Sequence, residues 1–132
     1  MLDVETIKLY FTGIYKTPNM SVGAIIVKKN AEVIYQESLQ FVADCSEEAH
    51  YLALQIGLKW IVANNYDKYM VRIYGDSLTV IRQLRGKWHT HKETYCKTVE
   101  DVFSDIKRFP LIHYKWIREF KNRKVIELAR KN

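Results

Sequence analysis

Glycine and proline are scarce, at five and two of 132 residues. That scarcity excludes a loop-dominated scaffold and argues against a disordered chain. Only two cysteines are present, Cys45 and Cys96. They are too few for a disulfide framework, and the expectation is two thiols in a reducing cytoplasm. No apolar run approaches the ~18 residues that a membrane span requires. The opening Met1-Leu2-Asp3-Val4-Glu5 is acidic and lacks the basic start and apolar run of an export signal. With 48% apolar and 27% charged residues, the composition is that of an ordinary globular chain. The length sets the expectation of a single domain over residues 1–132, able to bury about two thirds of its unfolded surface without metal or disulfide staples.

The charge is what the chain does have. Twenty-one Lys and Arg against fifteen Asp and Glu leave +6, with a pI near 9.3. It is unevenly placed. Val80 to Thr98 holds Arg82, Arg85, Lys87, Lys92 and Lys97 against Glu93, for +4, and Lys115 to Asn132 holds seven cations against Glu119 and Glu127, for +5. The rest of the chain is therefore −3. Two basic segments on a mildly acidic body have the form of an electrostatic footprint for phosphate, or else of two solvated helix faces.

The first half reads as sheet. Ile7 to Phe11 alternates as a strand with one buried face does, a loop at Pro18-Asn19 follows, Val22 to Lys29 is β-branched, and Glu32 to Val42 supplies a third strand after a turn at Lys29-Asn30. Short connections make these an antiparallel meander. Asp44 or Ser46 is placed to cap a helix whose apolar positions Ala49, Leu52, Ala53, Ile56 and Trp60 recur at helical spacing up to Asn64-Asn65. Met70 to Tyr74 reads as a buried strand running into Gly75-Asp76-Ser77, where Asp76 is placed as the cap of a short helix ended by Gly86. Thr90 and Glu93 form a capping-box pair opening a helix with Tyr95, Val99, Val102, Phe103 and Ile106 inward, stopped by Pro110. Leu111 to Ile117 is the last strand and Asn122 to Arg130 the last helix. The order βββαβααβα predicts an α/β mixed sheet with helices on both faces.

In this order the chain resembles the type 1 ribonuclease H family along essentially its whole length. The resemblance rests on Tyr10-Phe11-Thr12-Gly13, Gly23-Ala24, Glu48-Ala49-His50-Tyr51 with Gly57-Leu58, Tyr74-Gly75-Asp76-Ser77, Gly86, Trp116-Ile117-Arg118-Glu119, and Asn122 with Glu127-Leu128-Ala129. It implies a five-stranded mixed sheet of order 3-2-1-4-5, with strands one to three antiparallel. It also implies two-metal phosphodiester hydrolysis, in which four carboxylates hold two Mg²⁺ (or Mn²⁺) ions about 4 Å apart. Carried onto this chain, those four positions are Thr12, His50, Asp76 and Ile126, of which only Asp76 is an acid. Mg²⁺ wants carboxylate oxygen and dehydrates reluctantly. Thr12 offers a neutral hydroxyl, Ile126 offers nothing, and His50 suits transition metals better. Glu127 is rotated about 100° from Ile126 on the helix, and Glu48 lies on the opposite side of its helix from His50.

The expectation is a ribonuclease H-like protein without ribonuclease activity, holding no metal cofactor, with a nucleic-acid-binding surface for duplex or RNA–DNA hybrid. His50 and Asp76 are expected to meet as a hydrogen-bonded pair, or around one transition-metal ion. Lys16, Arg82, Arg85, Lys87, Trp88 and Lys92 are the candidate nucleic-acid contacts. Trp88 either stacks on a base or packs under the helix junction. Lys121, Arg123 and Lys124 read as a solvated helix start. A monomer without membrane contact is expected. The alternatives are a protein–protein module on the same fold, and a divergent metal-dependent nuclease.

Overall fold

A computed structural model describes residues 5–17, 19–86 and 96–132. Strands β1 (Thr6–Thr17), β2 (Met20–Lys29) and β3 (Glu32–Phe41) form the antiparallel meander. Helix α1 (Ser46–Ala63) crosses over to β4 (Met70–Gly75), which pairs with β1 in parallel. Helices α2 (Leu78–Leu84) and α3 (Cys96–Ile106) precede β5 (Ile112–Trp116), parallel to β4. A 3₁₀ turn at Glu119–Lys121 leads into α4 (Arg123–Arg130). The sheet order is β3-β2-β1-β4-β5, as expected. No helix among the described residues is long and apolar enough to cross a membrane.

Strand β1 runs six residues past the alternating stretch that marks it in the sequence. Its odd positions Ile7, Leu9 and Phe11 are fully buried with Tyr51, Leu54, Leu58 and Ile61 of α1. Each such side chain contributes about 1.5–3 kcal/mol through removal from water. On the other face Val22, Ala24 and Ile26 of β2 pack against Val125 and Ala129 of α4. Strand β2 is thus covered on both sides and reads as a continuous apolar run rather than an alternating one.

Two expected helix caps differ. The N-cap of α1 is Cys45, which makes no side-chain cap. Instead Glu48 reaches back, its Oε1 accepting the Asp44 N–H at 2.7 Å while its Oε2 accepts the Thr98 hydroxyl at 3.1 Å. A carboxylate three residues into the helix satisfies the N-terminal donors better than either flanking side chain, and the same group ties α1 to α3. At α2 the cap is Ser77, whose hydroxyl oxygen accepts the Val80 N–H at 3.3 Å, which leaves Asp76 outside the helix. The Thr90–Glu93 capping box and Tyr95 lie outside the described residues.

Gly13 has the least room of the five glycines. A Cβ there would stand 2.3 Å from the backbone carbonyl carbon of Ala49 and 2.4 Å from the backbone nitrogen of His50. These are backbone atoms, so only displacement of β1 from α1 would relieve the overlap. Gly86, with φ +75° and nothing within 4 Å of the corresponding position, needs its glycine for conformation alone. Gly13→Ala is expected to cost about 3 kcal/mol or more through overpacking. Gly86→Ala should cost about 1 kcal/mol, the penalty of a left-handed residue. Urea denaturation of the two variants checks the ranking.

Candidate active-site cleft

The end of β1, the first turn of α1, the loop after β4 and α4 converge on a cleft of about 510 Å³. Thr12, His50, Asp76 and Ile126 all line it, together with Lys16, Ser46, Ser77, Glu119 and Arg130. The four positions mapped from the family resemblance therefore share one site. The parallel β1–β4 pairing sets Phe11 beside Gly75, so the next residues, Thr12 still within β1 and Asp76 just past the end of β4, come side by side. The Thr12 hydroxyl lies 3.2 Å from both carboxylate oxygens of Asp76 and donates to that group. The Trp116 indole N–H donates to the Asp76 carbonyl at 3.2 Å and the Ile117 N–H to the Gly75 carbonyl at 2.9 Å, so β5 steadies the loop that carries Asp76. Asn122, nearly fully buried, donates from Nδ2 to the Phe11 carbonyl at 3.0 Å and moors the start of α4 beside β1.

His50 and Asp76 approach without forming the expected hydrogen bond. The Nδ1–Oδ1 separation is 3.7 Å, beyond hydrogen-bond length. His50 Nδ1 instead accepts the Gly13 backbone N–H at 3.2 Å. An imidazole nitrogen that accepts carries no proton, so the ring is neutral with its proton on Nε2. Burial drives the His50 pKa below its ordinary value, and the carboxylates of Asp76 and Glu47 only partly oppose that. The close approach at Gly13 thus explains both the neutral ring and the free choice Asp76 makes of Thr12 as donor.

Two acids, Asp76 and Glu119, and two cations, Lys16 and Arg130, line the cleft. Its formal charge is zero, where the family pattern would place four carboxylates. Among the described residues no group of three or more His, Cys, Asp and Glu side chains is placed to hold a metal ion. Thr12 and Asp76 satisfy one another, His50 Nδ1 is already an acceptor, and Ile126 has no donor atom. These residues do not fit a pair of Mg²⁺ ions. Glu48 is committed to the α1 N-terminus and Thr98, and Glu127 lines a different depression from Ile126.

Among the described residues, Lys16 is the one of the candidate nucleic-acid contacts that lines this cleft. Arg85 lines a separate depression along β4 and β5, and Arg82 is exposed on α2 without lining either. Lys121, Arg123 and Lys124 are exposed as expected. Lys87, Trp88 and Lys92 lie outside the described residues. Glu119 and Arg130 went unremarked as site residues. Only the fold points them into the cleft, although both stand in segments that carry the family resemblance.

The neutral burial of His50 gives stability a pH dependence. Below pH 6.5 the unfolded chain binds a proton that the folded ring refuses. Stability attributable to His50 is therefore complete above that pH and declines as pH falls toward the lowered folded value. The slope reaches at most about 1.4 kcal/mol per pH unit. His50→Gln, whose amide oxygen can accept the same N–H, should flatten it. Urea midpoints at pH 7.5 and 5.5 for both proteins check this.

The sequence model of the reverse transcriptase-like family matches residues 11–132. No curated protein matches the chain. Among solved structures, ribonuclease H1 from the halophilic archaeon Halobacterium salinarum superposes with a TM-score of 0.86 at 17% identity, over 96% of each chain. The N-terminal RNase H domain of a Mycobacterium tuberculosis protein gives 0.87 at 18%, over 98% of this chain and 93% of that one. LC11-RNase H1, isolated from compost by a metagenomic approach and solved in complex with RNA/DNA hybrid, gives 0.86 at 18%, over 95% and 94%. At such identities the likeness to these structures is one of fold, and it agrees with the strand order, the element order and the convergence of the four mapped positions. The chain belongs to the reverse transcriptase-like family and has the fold of type 1 ribonuclease H.

Proposed function

We propose that this chain is a ribonuclease H-like protein that binds duplex nucleic acid, RNA–DNA hybrid first among them, without hydrolysing it by the two-metal route. The observation that carries the reading is the cleft itself. Thr12, His50, Asp76 and Ile126 meet there, yet they supply a single carboxylate, which a threonine hydroxyl already occupies. A site of zero formal charge does not concentrate divalent cations, and it spares an approaching phosphodiester the repulsion that four carboxylates would exert.

The binding half of the reading is supported by the basic surplus and by likeness to a fold that has been solved holding RNA/DNA hybrid. Lys16 stands at the cleft margin, where a phosphate contact positions a duplex without reading its sequence. An A-like hybrid would be recognised by its shape, phosphates and 2′-hydroxyls rather than its bases. The chain acts in this reading as a monomer with no cofactor of its own.

Gel shifts with RNA–DNA hybrid, duplex DNA and single strands test it. Hybrid is expected to bind at ~50 mM salt and to weaken steeply by ~200 mM, as counterion release requires. Lys16→Glu should weaken that binding, and no cleavage should appear with Mg²⁺, Mn²⁺ or Zn²⁺. Cleavage abolished by Asp76→Asn would overturn the non-hydrolytic reading, and absence of binding at low salt would overturn the nucleic-acid reading. The triple variant Thr12→Asp, His50→Glu, Ile126→Asp should bind Mg²⁺, read by calorimetry. A folded triple variant that ignores the ion would refute the mapping of the four positions.

A further inference from the structure

Helix α4 is the only described helix on its side of the sheet, and it covers only part of that face. It packs on the β1–β3 half, where Val22, Ala24 and Ile26 meet Val125 and Ala129. The rest of the face is exposed on β4 and β5, and what it presents is basic and aromatic. The strand registers set Lys8 opposite Lys28 on one side and Arg72 on the other, with His113 beyond. The adjacent row runs from Tyr10 to Tyr74 to Lys115. No carboxylate stands in these rows. Among the described residues, none of Lys8, Lys28, Arg72 and Lys115 forms an ion pair. Opposite charges facing one another across strands stabilise a sheet, and like charges placed directly opposite destabilise it. Lys28–Lys8–Arg72 incurs that repulsion twice, which marks the row as one suited to an anionic partner.

The two tyrosines add a second feature of a different kind. Their rings stack at 4.8 Å with 15° between planes, and Lys28 Nζ lies 5.4 Å from the Tyr10 ring centre. The pair separates two depressions. One, of about 770 Å³, is lined by Tyr10 with the cations Lys28, Lys121, Arg123, Lys124 and Lys131 against the single acid Glu127. The other, of about 450 Å³, is lined by Tyr74 with Arg72, His113 and Lys115. Cations flanking an aromatic platform on a sheet are the two elements that hold single-stranded nucleic acid: charge follows the phosphates, and a ring stacks on any base. From β2 to β5 the row extends about 14 Å at ordinary strand spacing, room for more than one nucleotide. A rigid duplex keeps its bases paired and away from such a platform, whereas a single strand presents both backbone and base faces.

We propose that this half-face of the sheet, centred on Tyr74 between Arg72 and Lys115, is a binding site for single-stranded nucleic acid, separate from the cleft at Asp76. It does not depend on the cleft reading, since neither Lys16 nor the four mapped positions belong to it.

The test is fluorescence anisotropy of labelled ten-nucleotide oligo(dT) and oligo(U) on the full chain at ~50 mM salt. The wild type is expected to bind, with heparin as the polyanion control. Arg72→Glu with Lys115→Glu, both exposed and at no packed position, should weaken oligonucleotide binding by about tenfold or more. Tyr74→Leu keeps apolar bulk and should weaken it severalfold while leaving heparin binding unchanged. Far-UV circular dichroism and melting temperatures near the wild-type values establish that the variants are folded. Lys59→Glu, at an exposed cation of α1 that lines neither this surface nor the cleft, should leave oligonucleotide affinity unchanged, so that loss at this site is told apart from a general effect of net charge. No oligonucleotide binding by the wild type, or binding indifferent to the double charge reversal, overturns the proposal. Loss on charge reversal with no effect of Tyr74→Leu overturns the nucleic-acid assignment and leaves a site for polyanions.

Discussion

Strand β1 and the first turn of α1 meet backbone against backbone at Gly13, with no room for a Cβ between them. That contact brings the Gly13 N–H onto His50 Nδ1. The hydrogen bond gives a buried amide its acceptor and fixes the histidine tautomer in one step. It also sets the height of α1 above the sheet, and the apolar layer of Leu9, Phe11, Tyr51 and Leu54 fills the space so defined. The cleft inherits its geometry from the same contact. Thr12 precedes Gly13 on the strand and turns to the other face, toward Asp76.

The electrostatics of the cleft follow from that geometry and from which side chains occupy it. A carboxylate at His50's position would sit against the Gly13 N–H and within reach of Asp76, and like charges that close need a cation between them. The neutral imidazole needs none. Thr12 donates to Asp76, the Gly13 N–H donates to His50 and Ile126 is apolar, so hydrogen bonds rather than an ion link these cleft residues to one another and to β1. The positive surplus of the chain lies mostly outside it, at the margin, on α4 and across the open part of the sheet. Among the described residues one short helix, eight residues long, covers that face of the five-stranded sheet. It lies over three strands, and Arg72, His113 and Lys115 on the other two are exposed.

The element order and the sheet order were legible because each rests on local signals. Alternation marks strands, recurrence at 3.6 residues marks α1 and α3, and short links force a meander. The far half of β1 was not legible, because Gly13 and its neighbours lack alternation, and that stretch is a strand only through pairing with β2. The caps were misplaced for a related reason. Cys45 and Ser77 cap because of where the chain enters each helix, and Glu48 serves α1 from inside it. The convergence of Thr12, His50, Asp76 and Ile126 was foreseen through the family resemblance, whereas the partners they choose were not. Spacing along the chain places His50 near Asp76, but a difference of a few tenths of an ångström decides between a hydrogen bond and a mere approach. Arg82 and Arg85 looked like companions of Lys16 because all three are basic and near the expected groove. Arg85, at the C-terminal end of α2, instead lines the depression along β4 and β5.

By itself the sequence determined the type of fold, the single acid among the four mapped positions and the surplus of positive charge, since all three are properties of residue identity and local order. Tertiary structure alone decided which donor Asp76 takes, that His50 is neutral, that Glu119 and Arg130 join Lys16 in lining the cleft, and that Lys28, Lys8, Arg72 and His113 stand in one row. Each of these depends on strand register and on the distance between elements far apart in the chain. No local pattern encodes that distance, because it is set by how the whole core packs.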